Sequence, residues 1–417
     1  MPTFKPCDDD NRWLCRSTMQ EQGTMIPYAK HHICEDDIQA VVDVLRSAWI
    51  TSGPKLKEFE DRFAATIGAK YAVAFSSGTA ALHTAMRVGG IGAGDWVLTV
   101  PNSFLASANC AAMVGANVDF VDIDPVTHNL DPDQLAKHWR PGTKAVIAVD
   151  YAGQPCDMRA IHRVAHSEGA IVIEDGCHAL GSAFVDDGRL WQVGSHPWAD
   201  MTVFSFHPAK TITTGEGGML VTNNRDWAER ARSLRSHGVV RNGDCDFVGL
   251  GTDDHPSLAE RGPWYYEMQQ LGVNYRLTEM QCALGLSQLR RLTQFVEARR
   301  NLVKMYNSSL LAVPGLTIPV VGMPANEQHI AWHLYTVEID YKRIGKSRTA
   351  VMQELAANGI GTQVLYIPIH LQPWYRQKFG YGVGKCPVAE EFYRRALSLP
   401  LYSSLSEAEL YQVVLEL

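Results

Sequence analysis

The sequence predicts an α/β protein: a large domain on a sheet covered by helices on both faces, then a smaller α+β domain toward the C-terminal end. Three observations predict it. Short β-rich runs, WVLTV, VDFVDI, KAVIAVD, AIVIED, MTVFSF and MLVTN, alternate with helical stretches through the middle of the chain. Each run is apolar on both faces, as strands buried between two helical layers are. At 417 residues the chain exceeds what one small core requires, so two or more domains, or one large domain with an appendage, are expected. Near residue 270 the rhythm gives way to a long helical pattern and a sparser mix of strand and helix.

Taken in order, residues 1–24 are polar with an acidic triplet at 8–10, wrong for a signal peptide and for a basic transit peptide, and read as a loose extension. From Met25 the pattern becomes regular. A helix with an acidic first turn (Glu35, Asp36, Asp37) carries Ile38, Val41, Val42 and Leu45 at helical spacing and stops near TSGP. A second runs through Leu56, Phe59, Phe63 and Ile67 and ends at Gly68, a C′ glycine. The strand YAVAF, the turn SSGT and a helix from Ala80 to Val88 follow. GGIGAG precedes a strand instead of joining strand to helix, so it is a turn and not a dinucleotide fingerprint. The large domain, 25–270, ends after RNGDCDFVGLGTDDHPSLAERGPWYYE, which reads as a mobile loop. Residues 271–417 hold one long helical pattern from Leu277 (LTEMQCALGLSQLRRLTQFVEARRNLVKMY), then WHLYTVEI, a helix around AVMQELAANG, and TQVLYIPI.

Composition narrows the class. Hydrophobic residues at 46 % and charged residues at 20 % are ordinary for a soluble globular protein. A net charge of -7 without any lysine or arginine block argues against nucleic acid and anionic membrane partners. No apolar run approaches the roughly 20 residues of a membrane span. Nine cysteines without a CxxC pair suit reduced thiols in the cytoplasm. His329 and His333 lack the glutamate of an HExxH site, so no metal is expected.

Three motifs carry chemistry. In AFSSGTAALHTA a strand meets a helix N-terminus through small residues, which would let an anion reach backbone N–H groups; a capped helix after a tight turn accounts for the stretch equally well. In AIVIEDGCHALGS, Asp175 falls at a strand end, where ligands of open α/β sheets sit. It could hold a protonated ring nitrogen or a metal, or simply be a cap or turn residue. In SFHPAKTITTGEGGML, Lys210 follows a buried strand, where a partly desolvated amine can form a Schiff base; the competing reading is a solvated loop lysine. The glycines of 214–218 would let the backbone bend around a ligand. Phosphate cradle, acid and amine in this order match pyridoxal 5'-phosphate (PLP), which has a phosphate, a pyridine nitrogen that must stay protonated, and an aldehyde.

The motifs ITSGP, FSSGTAAL, IEDGCHALGS, SFHPAKTITTGEGG and GVNYRLTEMQCALGLSQL resemble the DegT/DnrJ/EryC1/StrS family of sugar aminotransferases, from Met25 to the end of the chain. The resemblance implies the fold type I PLP architecture, a large mixed-sheet α/β domain plus a smaller C-terminal α+β domain. It implies that Lys210 forms the Schiff base and then moves the proton between Cα and C4′, and that Asp175 pairs with the pyridine nitrogen. His178 would lie near the cofactor's ring oxygen. Gly78, Thr79 and Ala80, with the Ser205 hydroxyl, would hold the phosphate. Phe104, in PNSFLAS, would stack on the pyridine ring, a core residue being the plainer reading. Asn274 would reach the phosphate of the neighbouring subunit, which implies a homodimer with shared active sites. Arg276 would face a substrate phosphate or the glutamate carboxylate, a surface salt bridge being its plain alternative.

Within the family, IPYAKHHICEDDIQAVVDVLRSAWITSGP, IPIHLQPWYRQKFGYG and CPVAEEFYRRALSLPLY look most like the C4 transaminases of pseudaminic acid biosynthesis. These aminate UDP-4-keto-6-deoxy-N-acetyl-β-L-altrosamine with glutamate as donor. Tyr28, Thr51 and His333 would then be sugar contacts. Gly176 and Cys177 stand where alanines are commoner, and residues 1–24 have no counterpart. The expected reaction is a ping-pong transamination. Two rivals are a sugar 3-dehydratase of the same fold, whose relatives carry His in place of the lysine, and a non-catalytic cofactor-binding regulator. Lys210 opposes the first; Asp175, Ser205 and Lys210 together oppose the second.

Overall fold

The computed structural model describes residues 25–241 and 264–417; the 1–24 extension and most of the predicted loop lie outside the described residues. Its strands are β1 (Tyr71–Phe75), β2 (Trp96–Thr99), β3 (Asn117–Phe120), β4 (Thr143–Val149), β5 (Ile171–Asp175), β6 (Ala183–Asp186), β7 (Arg189–Gln192), β8 (Met201–Ser205), β9 (Gly218–Thr222), β10 (Val239–Val240), β11 (Glu267–Met268), β12 (Leu316–Thr317), β13 (Tyr335–Ile339) and β14 (Ala396–Leu399). Seven make the central sheet, in the order β1-β9-β8-β5-β4-β2-β3. YAVAF and the six doubly apolar runs each supply one of them. β9 runs antiparallel to both β1 and β8, and the other neighbours are parallel, so the sheet is mixed. The hairpin β6–β7 is largely exposed and lacks a continuous apolar run, and β10 and β11 have two residues each, so neither pair stood out in the sequence.

The helices before the sheet's end are α1 (Glu35–Leu45), α2 (Pro54–Ile67), α3 (Gly78–Val88), α4 (Ala106–Met113), α5 (Pro132–Lys137), α6 (Met158–Ser167) and α7 (Arg225–Arg235). α2 begins with proline and ends on Gly68 at φ 80, whose N–H returns to Ala64 O. Its buried Phe59 and Phe63 meet Phe206 and Phe204 at 5.4 Å between ring centroids, packing α2 on the β8 side of the sheet. α1 departs from a simple amphipathic reading: Ile38 and Leu45 remain exposed, while Asp37 is fully buried. Asp37 accepts from Cys34 N at 3.0 Å and Gln288 Nε2 at 2.8 Å and pairs with Arg291, so an acid of the first turn serves as a buried tie.

The long helical pattern is two helices, α8 (Glu279–Leu289) and α9 (Leu292–Leu310), broken at Arg291, whose φ -104, ψ 8 is not helical. Neither Gly nor Pro marks the break; the pull of Arg291 toward Asp37 accompanies it. α9 packs with α13 (Glu407–Leu415), which follows α10 (Arg348–Ala357), α11 (Pro373–Phe379) and α12 (Pro387–Arg395). Here β12, β13 and β14 form a separate antiparallel sheet. TQVLYIPI is not a strand in it. Only Gln363 bridges Ser398, because the segment turns away to the ligand cavity.

β1 is an edge strand, and its outward backbone groups are capped by charge. Glu60 Oε1 accepts Ala74 N at 2.9 Å, Arg235 Nη1 donates to Ala74 O at 2.7 Å, and Arg232 donates to Ala72 O at 3.1 Å. Glu60 and Arg235 are themselves paired at 2.5 Å and buried. Glu60→Ala should therefore strand a buried guanidinium and lower stability by about 3–5 kcal/mol. Urea denaturation measures it, and a loss below about 1 kcal/mol would mean that the pair behaves as a surface ion pair.

Candidate active site

The parallel strands β4, β5 and β8 end side by side, with Val149 opposite Asp175 and Asp175 opposite Val203. A cavity of about 690 Å³ opens beyond those ends, where open α/β sheets bind ligands. Asp175, the last residue of β5, sits on its floor with 5 % exposure. Its Oδ2 accepts the Ser107 hydroxyl at 2.6 Å and its Oδ1 accepts Cys177 N at 3.2 Å; Ser107 is in turn 2.7 Å from Ser103 Oγ. The carboxylate is thus held in one orientation by groups from β5, its following turn and α4.

The β8 end leads through Ser205 and a tight turn, closed by Lys210 N donating to His207 O at 2.8 Å, to the Lys210 side chain in the cavity. Its Nζ lies 3.5 Å from His333 Nε2. Although part of its surface faces the open cavity, the amine is packed closely by protein. Desolvation holds it below the usual lysine range against the opposing pull of Cys177 and Asp175, and the charge of Arg299 adds to the lowering. His333 and His178 lie 4.4 Å apart between ring centroids, and His178 Nε2 is 3.1 Å from the Tyr366 hydroxyl. Burial first, and then the nearby lysine, push both imidazoles well below their ordinary range, so both are neutral at pH 7. The Nδ1 atoms of both are buried without a partner.

Beside the β8 end, the turn after β1 opens α3 toward the cavity. Ser77 Oγ caps the helix by accepting Ala80 N at 3.1 Å, while Ser77, Gly78 and Thr79 line the cavity. The capping reading of SSGT holds at Ser77, and the end of the helix faces the space in which the anion-binding reading would place its ligand. Glycine is required where the walls meet. A Cβ on Gly218, at the start of β9, would lie 2.5 Å from the Ser77 carbonyl, and one on Gly78 would lie 3.0 Å from Ser205 Cβ.

Of the residues singled out in the sequence, Tyr28, Gly78, Thr79, Phe104, Asp175, His178, Ser205, Lys210 and His333 line this one cavity. Phe104 is 58 % exposed, so it is not a core residue. Ala80 stands behind the wall, buried, its amide engaged by Ser77. Thr51, Asn274 and Arg276 do not line the cavity of their own chain; Thr51 and Asn274 are exposed and bridge Thr278 and Ser236 through the backbone. Sequence reasoning missed Ser107, Tyr366, Gln363, His207 and Glu216. The signal for Ser107 was in PNSFLAS, four residues after Ser103 at a helix start. Tyr366 had none, because only folding brings it to His178.

A glycine-walled helix N-terminus, a carboxylate fixed at a strand end and a desolvated lysine amine fit the phosphate, pyridine nitrogen and aldehyde of PLP. The orphaned His178 Nδ1 adds a buried polar atom among them. A model of the DegT/DnrJ/EryC1/StrS aminotransferase family matches residues 31–417. The chain belongs to this family. It is a PLP-dependent sugar aminotransferase. It is 38 % identical over 397 residues to the spore coat polysaccharide biosynthesis protein SpsC of Bacillus subtilis, covering 95 % of this chain and 97 % of SpsC. Among solved structures it is similar to Helicobacter pylori PseC, an aminotransferase involved in the biosynthesis of pseudoaminic acid (TM-score 0.82, 29 % identity, 94 % and 98 % of the two chains). It is also similar to the sugar aminotransferase Spr1654 of Streptococcus pneumoniae in its PMP form (TM-score 0.83, 29 % identity, 94 % and 98 %).

Gly218→Ala tests the wall. Overpacking against the Ser77–Gly78 backbone should cost about 1–3 kcal/mol at the turn and weaken cofactor binding by roughly tenfold or more. Fluorescence titration of the cofactor-free protein reads the affinity, and unchanged affinity would show that the turn is not part of the cofactor's seat.

Proposed function

We propose that this aminotransferase moves an amino group from L-glutamate to the C4 ketone of a nucleotide-linked 4-keto-6-deoxy sugar, UDP-4-keto-6-deoxy-N-acetyl-β-L-altrosamine of the pseudaminic acid pathway. The observation that carries the reaction is the desolvated Lys210 amine beside a neutral His333, across the cavity from the Asp175 carboxylate. Similarity to PseC supports the substrate.

PLP, when bound, supplies the electron sink that makes the donor's Cα–H acidic. Asp175 would face its ring nitrogen, Gly78, Thr79 and the Ser205 hydroxyl its phosphate, His178 its ring oxygen, and Phe104 a ring face. Lys210 Nζ would be the general base that takes the proton from the donor's Cα–H, holds it as the ammonium and gives it up again as general acid, which regenerates the free amine. Its lowered basicity leaves more free amine near neutral pH than a solvated lysine would have. His333 Nε2 keeps the amine oriented at 3.5 Å. Tyr28, whose phenol is raised by burial and stays protonated, is a hydroxyl donor to the sugar, with His333 as a further contact; Thr51, which lies off its own cavity, would make its contact in the site of a second copy.

The site is completed by a second copy. Glutamate, the cofactor phosphate and a sugar nucleotide are anionic, yet among the described residues no arginine lines the cavity. Asn274 and Arg276 lie off their own cavity. Apolar Ile38, Leu45, Trp49, Ile50 and Leu271 are about half exposed or more, a surface suited to a homodimer with shared active sites. On the division into 25–270 and 271–417, the cavity falls between the two parts. The six described cysteines are free thiols, which suits the cytoplasm.

Lys210→Ala should lose the visible absorbance of lysine-linked cofactor and reduce turnover by on the order of 10³-fold or more; a variant keeping both would overturn the role of Lys210. For the substrate, purified enzyme with glutamate and a panel of UDP-, GDP- and dTDP-linked 4-keto sugars should aminate the UDP-altrosamine ketone, seen by mass spectrometry. Turnover of only a 3-keto or dTDP sugar would refute the pseudaminic reading and leave the family intact. Mixing inactive Lys210→Ala with inactive Arg276→Ala should restore activity through hybrid dimers; no recovery would count against shared sites.

A further inference from the structure

Arg299, on α9, is a buried cation that the chemistry above does not use. It is 2 % exposed. Among the described residues its partners are backbone carbonyls alone: Nη1 donates to Leu401 O at 3.0 Å, His333 O at 3.3 Å and Trp332 O at 3.5 Å, and Nε has no partner. No carboxylate pairs with it. Burying an unpaired guanidinium is costly, and burial pushes it down to about 10, which still leaves it charged at neutral pH.

Its position explains the cost in two ways. The guanidinium braces the AWHLY segment from one side, while His333 N donates to Ala152 O at 2.8 Å and Ala331 N to Ser182 Oγ at 2.7 Å from the other. Arg299 and Lys210 also line one small pit of about 10 Å³, behind the lysine as seen from the main cavity, with Thr211, Thr213, Gln288 and Phe295 in its walls. No carboxylate lines this pit.

We propose that Arg299 is a positioning residue for the Lys210–His333 pair: it braces the His333 backbone and sets a positive field behind the lysine amine. This rests on the reading of Lys210 as the reactive amine. A fixed positive charge disfavours the ammonium form, so the free amine persists to lower pH. Asp175 and Cys177 act on Lys210 in the opposite sense. His178 and His333 are held neutral, His207 is at the exposed side of the cavity, and Lys30, His31 and His32 are at the pit's exposed rim. Arg299 is thus the buried permanent cation facing the amine, and it lies outside the cavity that substrates fill.

Acylation of Lys210 by acetic anhydride in the cofactor-free protein, followed by peptide mass spectrometry across pH, reports the amine's midpoint without turnover. Arg299→Gln removes charge and brace, and the midpoint should rise. Arg299→Lys keeps the charge but cannot span three carbonyls; its midpoint should stay at the wild-type value while holoenzyme turnover falls roughly tenfold. If Arg299→Gln does not fold, Arg299→His read above about pH 8, where a free imidazole is neutral, replaces it. A wild-type midpoint in the charge-removing variant overturns the field, and wild-type turnover in Arg299→Lys overturns the brace. Lys210→Ala is the control: if it keeps the cofactor's visible absorbance, the reading of Lys210 fails, not that of Arg299.

Discussion

The parallel register of β4, β5 and β8 is the constraint on which the site depends. It aligns Val149, Asp175 and Val203, so that the chain leaves three adjacent strands at one sheet edge, each strand roughly 4.8 Å from the next. The turns beyond those ends bring Ala152, His178 and Lys210 into one neighbourhood. The antiparallel return of β9 then sets Gly218 opposite Ser205 and against Ser77, which brings the N-terminus of α3 to the same place. A shift of one residue in any of these pairings would move the groups to opposite faces of the sheet.

Bringing these groups together creates an electrostatic problem that the fold answers by desolvation. His178, His333 and Lys210 could all carry positive charge within a few ångströms. Burial disfavours each charged form, and the positive charge of Lys210 further disfavours protonation of the two imidazoles. What remains is a cluster of two neutral imidazoles and a lysine of lowered basicity near one carboxylate, with Arg299 as the fixed charge behind it. Such a cluster can exchange protons near neutral pH.

Much of the fold was legible because burial on both sides of a strand leaves an unbroken apolar run. YAVAF, KAVIAVD and AIVIED need no context to be read, and Gly68 ends α2 by its own backbone freedom. The break at Arg291 was not legible, because no helix breaker marks it and the Asp37 that pairs with Arg291 lies about 250 residues away. TQVLYIPI had the composition of a strand, but its backbone is spent elsewhere: Leu365 O accepts the Tyr151 hydroxyl at 2.7 Å, and the following tyrosine reaches His178. The exposed face of α1 carries the periodicity of a buried one, and periodicity cannot say whether the covering surface belongs to the same chain.

The site divides along the same line. The sequence by itself determined which local units exist: a small-residue turn ahead of a helix, an acid at a strand end and a lysine after another, because each is set by neighbours a few residues away. Only the tertiary structure decided that they share one cavity, that Ser107 and not a turn amide alone holds Asp175, and that His333 and Arg299 stand beside Lys210. Those relations depend on strand register and on packing between segments 68 to 123 residues apart, which no local pattern of side chains encodes.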